Sequence, residues 1–185
     1  MTYLRSFIPW LAFAAVSTVD WRWGAAVALF AAASSVLKGR RTGDPADLLT
    51  VSTAAFFAVL TAVACTEPDS PVRHWTAAAS LAWLGATAWA SLAARKPFTL
   101  TIAKRTVPRE LWARPAFLRV NVVITAVWAA SFTLTAAVLV ALDESGADSA
   151  AATTAAQVLG FALPALFTAK YPDHARARAG RGAVG

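Results

Sequence analysis

The residues best suited to acid–base chemistry in this chain lie close together in one short polar stretch. Glu67 and Asp69 supply two carboxylates, and His74 supplies an imidazole. Carboxylates and a histidine within hydrogen-bonding reach of a substrate would act as general acid and general base. Pro68 and Pro71 mark an ordinary turn, and the spacing fits no nucleophile or metal-ligand motif. We therefore interpret the stretch as a solvated loop, and we predict no catalytic residue, no metal and no cofactor.

Ionisable side chains are absent from the centres of the apolar segments. A charge inside a membrane helix is costly, and it marks a functional site when it occurs. Asn121 and Gln157 are the only strongly polar residues within these segments, and both are suited to hydrogen bonds that join helices. The absence of a buried carboxylate or histidine relay argues against a proton-coupled transporter.

Three tryptophans fall near the centres of apolar segments rather than at their ends, namely Trp10, Trp83 and Trp128. An indole in the bilayer core needs a partner for its N–H or lines a cavity. Together with Asn121, these tryptophans form a candidate pocket for an apolar or aromatic ligand. The alternative is that they pack against lipid or against small residues of neighbouring helices.

The most distinctive stretch, residues 95–121, interleaves basic and apolar residues. Pro108 and Glu110 suit the first turn of a short helix, and Leu111 and Trp112 are suited to the headgroup region of a bilayer. The arginines beside them are suited to anionic phosphates. The candidate lipid- or partner-binding residues are Arg95, Lys96, Lys104, Arg105, Arg109, Trp112, Arg114 and Arg119.

The same stretch carries a resemblance to a known family. An Arg-Lys-Pro-Phe-Thr-Leu run at 95–100, a Pro-Arg-Glu-Leu-Trp turn at 108–112 and an Arg-Val-Asn entry at 119–121 precede a Trp-containing helix. This pattern, over about residues 90–135, resembles the intracellular septation protein A-like group of small bacterial inner-membrane proteins. The resemblance implies an inner-membrane protein linked to envelope or division functions, with no catalytic residues to carry over.

The elements that must position these residues are long apolar segments. The chain is 58% hydrophobic and only 15% charged, whereas a soluble domain usually carries about 25% charged residues. Six stretches approach the roughly 20 apolar residues that span a bilayer. They are Leu4–Val19, Trp21–Leu37, Leu48–Cys65, Trp75–Ala94, Ala116–Leu142 and Ala150–Tyr171. The predicted fold is an all-α polytopic transmembrane bundle of six helices in three hairpins, forming one domain at 1–171 before a basic, disordered tail at 172–185.

The distribution of positive charge predicts the orientation of these segments. All of the 17 Lys and Arg residues except Arg22 and Arg73 fall in alternate connections or at the termini. Short basic loops stay in the cytoplasm, so both termini are expected there, in the inner membrane of a bacterium. A net charge of +7 spread between apolar segments indicates contact with anionic lipid rather than nucleic acid. Two alternatives remain open, a five-helix form with the last segment on the surface and a cleaved signal peptide at the N-terminus.

Three functional hypotheses follow. The first is a non-enzymatic membrane component that supports cell envelope or division through its basic loop, with anionic lipids, a second copy or envelope-machinery proteins as partners. The second is a small transporter or channel formed by self-association. The third is a membrane-embedded enzyme that acts on a lipid or isoprenoid substrate. Its acid would have to come from Asp20, Glu67, Asp69 or Glu110.

Overall fold

The structure, a computed structural model, describes residues 7–43, 47–105, 107–147 and 149–181. Of these described residues 84% are helical, and none lies in a strand. The α-helices are α1 (Ile8–Val16), α2 (Trp21–Thr42), α3 (Leu48–Thr66), α4 (Val72–Ala93), α5 (Phe98–Lys104), α6 (Pro115–Glu144) and α7 (Ala150–Arg181), and a short 3₁₀ helix covers Arg109–Leu111. The all-α class that the sequence predicts is confirmed.

Each of the six predicted apolar segments overlaps one helix. The helix of the first segment is the short α1, and the helices of the other five are long. Residues 4–6 of the first predicted segment and residues 182–185 of the predicted tail lie outside the described residues. Helix α7 continues past the predicted end of the last segment, through Pro172 to Arg181. Helix α5 is an additional element that the apolar pattern does not predict. The predicted domain boundaries stay predictions.

Three of the described helices are long and apolar enough to cross a membrane: α3, α6 and the Ala150–Asp173 part of α7. Helices α4 and α5 together meet the same criterion, with an 80° bend between them, and would form a fourth, broken span or a re-entrant loop. The membrane character of the chain is therefore confirmed. The finer prediction of six spans with both termini in the cytoplasm stays a prediction.

The chain divides into two compact units, residues 1–77 and residues 78–185. In the first unit, α2 packs against both α1 and α3. The face of α2 that carries Ala25 and Ala28 is fully buried. A Cβ added at Gly24 would lie only 3.0 Å from Ser17. Small residues therefore let α1 and α2 approach backbone to backbone, which is how helices gain dispersion energy in lipid.

One hydrogen bond places two connections of the first unit, α1–α2 and α3–α4, at the same end. Trp21 Nε1, in the first turn of α2, donates to the carbonyl of Pro68 at 3.3 Å. Pro68 lies in the connection between α3 and α4, so this connection sits beside the one between α1 and α2. Helices α2 and α3 consequently run antiparallel, as the alternating-loop prediction requires of neighbouring spans.

The second unit is built on α6, which packs against α5 and α7. Helix α4 also reaches α6, because Trp89 Nε1 donates to Thr133 Oγ1 at 3.2 Å. Glycine at the contact points permits close approach: a Cβ at Gly85 would meet Thr133, and one at Gly160 would meet Thr135. On the opposite face of α7, large apolar side chains are more than half exposed, as expected of a surface that faces lipid.

Candidate functional site

The basic residues at 95–119 follow a sharp turn at the end of α4. Arg95 takes a left-handed conformation, with φ of 56°. Its amide donates to the carbonyl of Leu92, and the amide of Lys96 donates to the carbonyl of Ser91, both at 2.9 Å. This pair of bonds is a Schellman motif, a helix end that usually places glycine at the left-handed position. The chain carries an arginine there, although a side chain in this conformation costs about 1 kcal/mol or more.

Ser91 joins the end of α4 to the start of α5. Its buried hydroxyl donates to the carbonyl of Ala88 at 2.7 Å and accepts from the amide of Phe98 at 3.2 Å. Phe98 N–H is one of the unpaired amides at a helix start, and Pro97 just before it has no N–H to satisfy. The direction of α5 is therefore set by hydrogen bonds within the protein.

Helix α5 lies against α6 through one buried face. Phe98, Thr99 and Ile102 on that face are at most 3% exposed. The Thr99 hydroxyl donates to the backbone carbonyl of Asn121 at 3.0 Å and lies 2.7 Å from the Thr125 hydroxyl. The segment that the sequence analysis treats as a surface loop is thus anchored to a long helix. The sequence signal for this helix is the spacing of Thr and Ile over 98–103, and that run is too short to identify a helix by itself.

After α5, two cationic side chains lie against the ring of Trp112. Lys104 Nζ lies 5.1 Å from the centre of the Trp112 ring, and the Arg109 guanidinium carbon lies 5.7 Å from it. The indole N–H of Trp112 donates to the carbonyl of Val107 at 3.0 Å, which fixes the ring. The short helix that the sequence predicts near Pro108 is present, as the 3₁₀ turn at Arg109–Leu111.

We call the basic residues of 95–119 and Trp112 the basic platform, of which Lys104, Arg109 and Trp112 are the members in mutual contact. Its aromatic centre, Trp112, is partly buried, whereas its cations other than Lys104 are exposed. Glu110 is the only carboxylate between residues 95 and 119. The surface is suited to anions, because arginine forms paired hydrogen bonds with phosphate and lysine acts as a point charge. The platform consists of Arg95, Lys96, Lys104, Arg105, Arg109, Trp112, Arg114 and Arg119.

The residues of the candidate pocket are divided between the two units. Trp10 belongs to the first unit, where its buried indole N–H donates to Thr53 Oγ1 at 3.1 Å and its ring packs on Phe57. Trp128 belongs to the second, where its N–H donates to Thr168 Oγ1 at 2.9 Å. Both buried indoles therefore have the partner that an apolar environment demands.

The other two pocket residues, both in the second unit, differ in burial. Trp83 on α4 is 41% exposed. Asn121 is buried, and its amide nitrogen donates to the carbonyl of Phe117 on its own helix at 2.9 Å. The Asn121 side-chain oxygen has no hydrogen-bond partner among the described residues. Helices α5 and α6 are joined here by the hydrogen bond from Thr99 to the backbone carbonyl of Asn121, and not by the Asn121 side chain. The pocket itself stays a prediction.

The polar stretch at residues 67–74 contributes one wall of a cleft. The cleft has a volume of about 460 Å³ and lies between the α1–α2 and α3–α4 connections. Asp69 and Arg73 line it, together with Asp20 and Arg22 from the other connection. His74 instead packs its ring edge-on against Trp75. Sequence reasoning missed this convergence, although Arg22 and Arg73 were conspicuous as the two cations outside the basic connections.

Within the cleft, Asp20 and Arg22 form a close ion pair. Arg22 Nη2 lies 2.8 Å from Asp20 Oδ2, and Asp20 Oδ1 also accepts from the Arg22 amide at 2.8 Å. These bonds cap the first turn of α2. They lower the pKa of Asp20 and raise the pKa of Arg22, because each favours the charged form of its partner. The pair therefore stays ionised at neutral pH.

No model of a known protein family matches this chain, and comparison with curated proteins and with solved structures gives no significant match. The resemblance to the intracellular septation protein A-like group accordingly stays a prediction.

Proposed function

We propose that the protein is a non-enzymatic, multi-pass protein of the bacterial inner membrane whose basic platform binds anionic phospholipid headgroups from the cytoplasmic side. The observation that carries this proposal is the position of Lys104 and Arg109 around the ring of Trp112. An indole at headgroup depth with cations beside it is a common arrangement for contact with a phosphate-bearing surface.

The anchoring of α5 supports the same function. A flexible basic loop attracts anionic lipid by about 1 kcal/mol per cation, but it holds no cation in a particular place. Here the buried face of α5 and the Thr99 hydrogen bonds set the position of Lys104. Contacts of Lys104 and Arg109 with Trp112, worth about 0.5–1 kcal/mol each at exposed sites, restrict these side chains further. Such preorganisation favours bound headgroups over diffuse attraction.

The wider role that we propose is support of cell envelope or division machinery. An anchored platform that retains anionic lipid presents a patch to which envelope proteins or a second copy of the chain would dock. The resemblance over about residues 90–135 points in the same direction.

Lipid retention by the purified protein tests the proposal directly. The full chain is purified in mild detergent, exposed to phosphatidylglycerol and phosphatidylcholine in equal amounts, and analysed by native mass spectrometry. We expect retained phosphatidylglycerol, and at least a tenfold loss of its affinity in the variant Lys104→Gln with Arg109→Gln, since each cation contributes about 1 kcal/mol.

The matched control is Arg40→Gln with Arg41→Gln. These exposed arginines at the end of α2 carry the same total charge but lie outside the platform. The control variant is expected to retain phosphatidylglycerol as the parent does. Equal loss in both variants would reduce the platform to general electrostatic attraction and overturn the proposal.

A second experiment addresses the cellular role. Neutralising Arg105, Arg109 and Arg114 together is expected to abolish the support of cell envelope or division machinery in the native host. Membrane insertion, which a C-terminal fluorescent fusion reports, is expected to be unchanged. Enrichment of the parent fusion at division sites would support the envelope role. Full function of the triple variant would contradict it and favour the transporter or enzyme hypotheses.

A further inference from the structure

The cleft between the α1–α2 and α3–α4 connections, which we call the connection cleft, is a second polar surface that the basic platform does not explain. Its volume of about 460 Å³ falls within the roughly 300–1,000 Å³ of ordinary small-molecule sites. All of its lining residues belong to the first unit, and none belongs to the platform. The lining residues include Asp20, Trp21, Arg22, Pro68, Asp69 and Arg73.

One wall of the connection cleft is held in place by satisfied groups. Arg22 is paired with Asp20, and Asp20 also caps α2. The ring of Trp21 is fixed by its hydrogen bond to Pro68. This wall is therefore preformed, and its ion pair adds no net charge.

The opposite wall carries two charges that the protein leaves open. Asp69 and Arg73 both line the cleft, but within the described residues neither side chain forms an ion pair or hydrogen bond, with each other or with another group. Asp69 is close enough to Arg22 to act on its charge, without direct contact. A carboxylate and a guanidinium thus face the same space while remaining apart.

We propose that the connection cleft binds a zwitterionic group in which a primary ammonium is joined by a short linker to a phosphate, as in phosphoethanolamine. The ammonium donates hydrogen bonds to Asp69, and the phosphate accepts paired hydrogen bonds from Arg73. A ligand with both charges matches a cleft whose four charged side chains sum to zero, whereas a simple anion or cation would leave one open charge unpaired.

The position of Trp21 connects this chemistry to a membrane surface. In the predicted six-span arrangement Trp21 starts the second span and lies at headgroup depth, so the cleft would open where ethanolamine headgroups are found. A free phosphoethanolamine ester in solution has the same chemistry. The two sources differ only in the acyl chains, which allows an experiment to separate them.

The test uses the full chain purified in detergent and isothermal titration calorimetry with three ligands. They are glycerophosphoethanolamine, dihexanoyl phosphatidylethanolamine and dihexanoyl phosphatidylcholine. The choline headgroup has the same charges, but its methylated nitrogen has no N–H to donate to Asp69. We expect both ethanolamine ligands to bind if the headgroup alone is recognised, and only the lipid if acyl chains contribute. The choline lipid is expected to bind at least about tenfold more weakly, given what a hydrogen bond to a charged group contributes.

Two variants assign the contacts. Arg73→Gln and Asp69→Asn are each expected to weaken ethanolamine binding about tenfold or more. Both side chains are exposed, so helicity by circular dichroism should be unchanged. Arg41→Gln and Glu144→Gln, exposed residues outside the cleft, provide controls with the same changes of charge and are expected to bind normally. Equal affinity for choline and ethanolamine, no binding at all, or normal binding by both cleft variants would overturn the proposal.

Discussion

The hydroxyl of Ser131 on α6 donates a 2.8 Å hydrogen bond to the backbone carbonyl of Gly160 on α7. That carbonyl would normally accept from the amide of residue 164, one helical turn later. Residue 164 is Pro164, which has no N–H and lies inside α7. Ser131 therefore satisfies the carbonyl that the proline leaves open, which is how proline is tolerated in helices that have no access to water.

The first prediction concerns this replacement bond. Ser131→Ala should lower the free energy of unfolding by about 0.6–1.7 kcal/mol, the range measured for hydrogen bonds between membrane helices. The measurement is reversible unfolding in mixed micelles. In a Pro164→Ala background the helix regains its own amide donor, so the same Ser131→Ala change should cost much less. Additive effects in this double-mutant cycle would show that the two residues are not coupled.

The second prediction concerns the buried indole of Trp10. Thr53→Val keeps the shape of the side chain but leaves the Trp10 N–H without its acceptor, which should cost about 1–3 kcal/mol. Thermal unfolding in detergent measures the effect. Thr66→Val on the same helix is the control, because Thr66 is exposed and its hydroxyl bonds only to carbonyls of its own helix. A similar loss in both variants would argue against a specific role for the Trp10 bond.

The third prediction links α5 to the basic platform. Thr99→Val removes the hydroxyl that joins α5 to the Asn121 carbonyl and to Thr125. Amide hydrogen exchange at 98–105 should then accelerate by about tenfold, corresponding to roughly 1–1.5 kcal/mol for a lost hydrogen bond. Phosphatidylglycerol retention should fall although every cation remains. Thr101→Val, at an exposed position of the same helix, should change neither quantity; unchanged retention in Thr99→Val would separate anchoring from lipid binding.

The fourth prediction follows from the lowered pKa of Asp20. A carboxyl group with a folded-state pKa below its ordinary value of 3.8 stabilises the fold above that value. The contribution is lost as the pH falls through the folded-state pKa, because protonated Asp20 no longer pairs with Arg22. Asp20→Asn should therefore unfold at a lower temperature than the parent at pH 6, and the difference should narrow below pH 3.8. A loss of stability that stays the same at every pH would show that the ionisation of Asp20 is not its cause.

Local pattern was enough to locate most of the helices. The predicted segment Leu48–Cys65 corresponds to α3 at Leu48–Thr66, because a long apolar run bounded by Asp47 and Glu67 is a local property of the chain. Helix α5 was missed for the opposite reason. Its few residues contain no run long enough to be recognised, and its stability comes from burial of Phe98 and Ile102 in the tertiary structure.

For the basic platform and the connection cleft too, the sequence predicts some features and only the tertiary structure shows the others. The sequence identified the cations of the platform from their clustering, but only the structure shows that Lys104 and Arg109 share the ring of Trp112. The connection cleft brings Asp20 and Arg22, at the start of α2, near Asp69 and Arg73, at the start of α4. No pattern in either stretch specifies that proximity, since the packing of α2 between α1 and α3 creates it.

Hydrophobicity and length act locally on each segment, so the sequence predicts a helical chain with segments apolar enough to span a membrane. Which polar atoms hydrogen-bond to one another, as Ser131 does with Gly160 and Thr53 with Trp10, follows only from the packing of the helices. In an apolar environment every such group needs a partner. The identity of that partner depends on how helices distant in the chain come together.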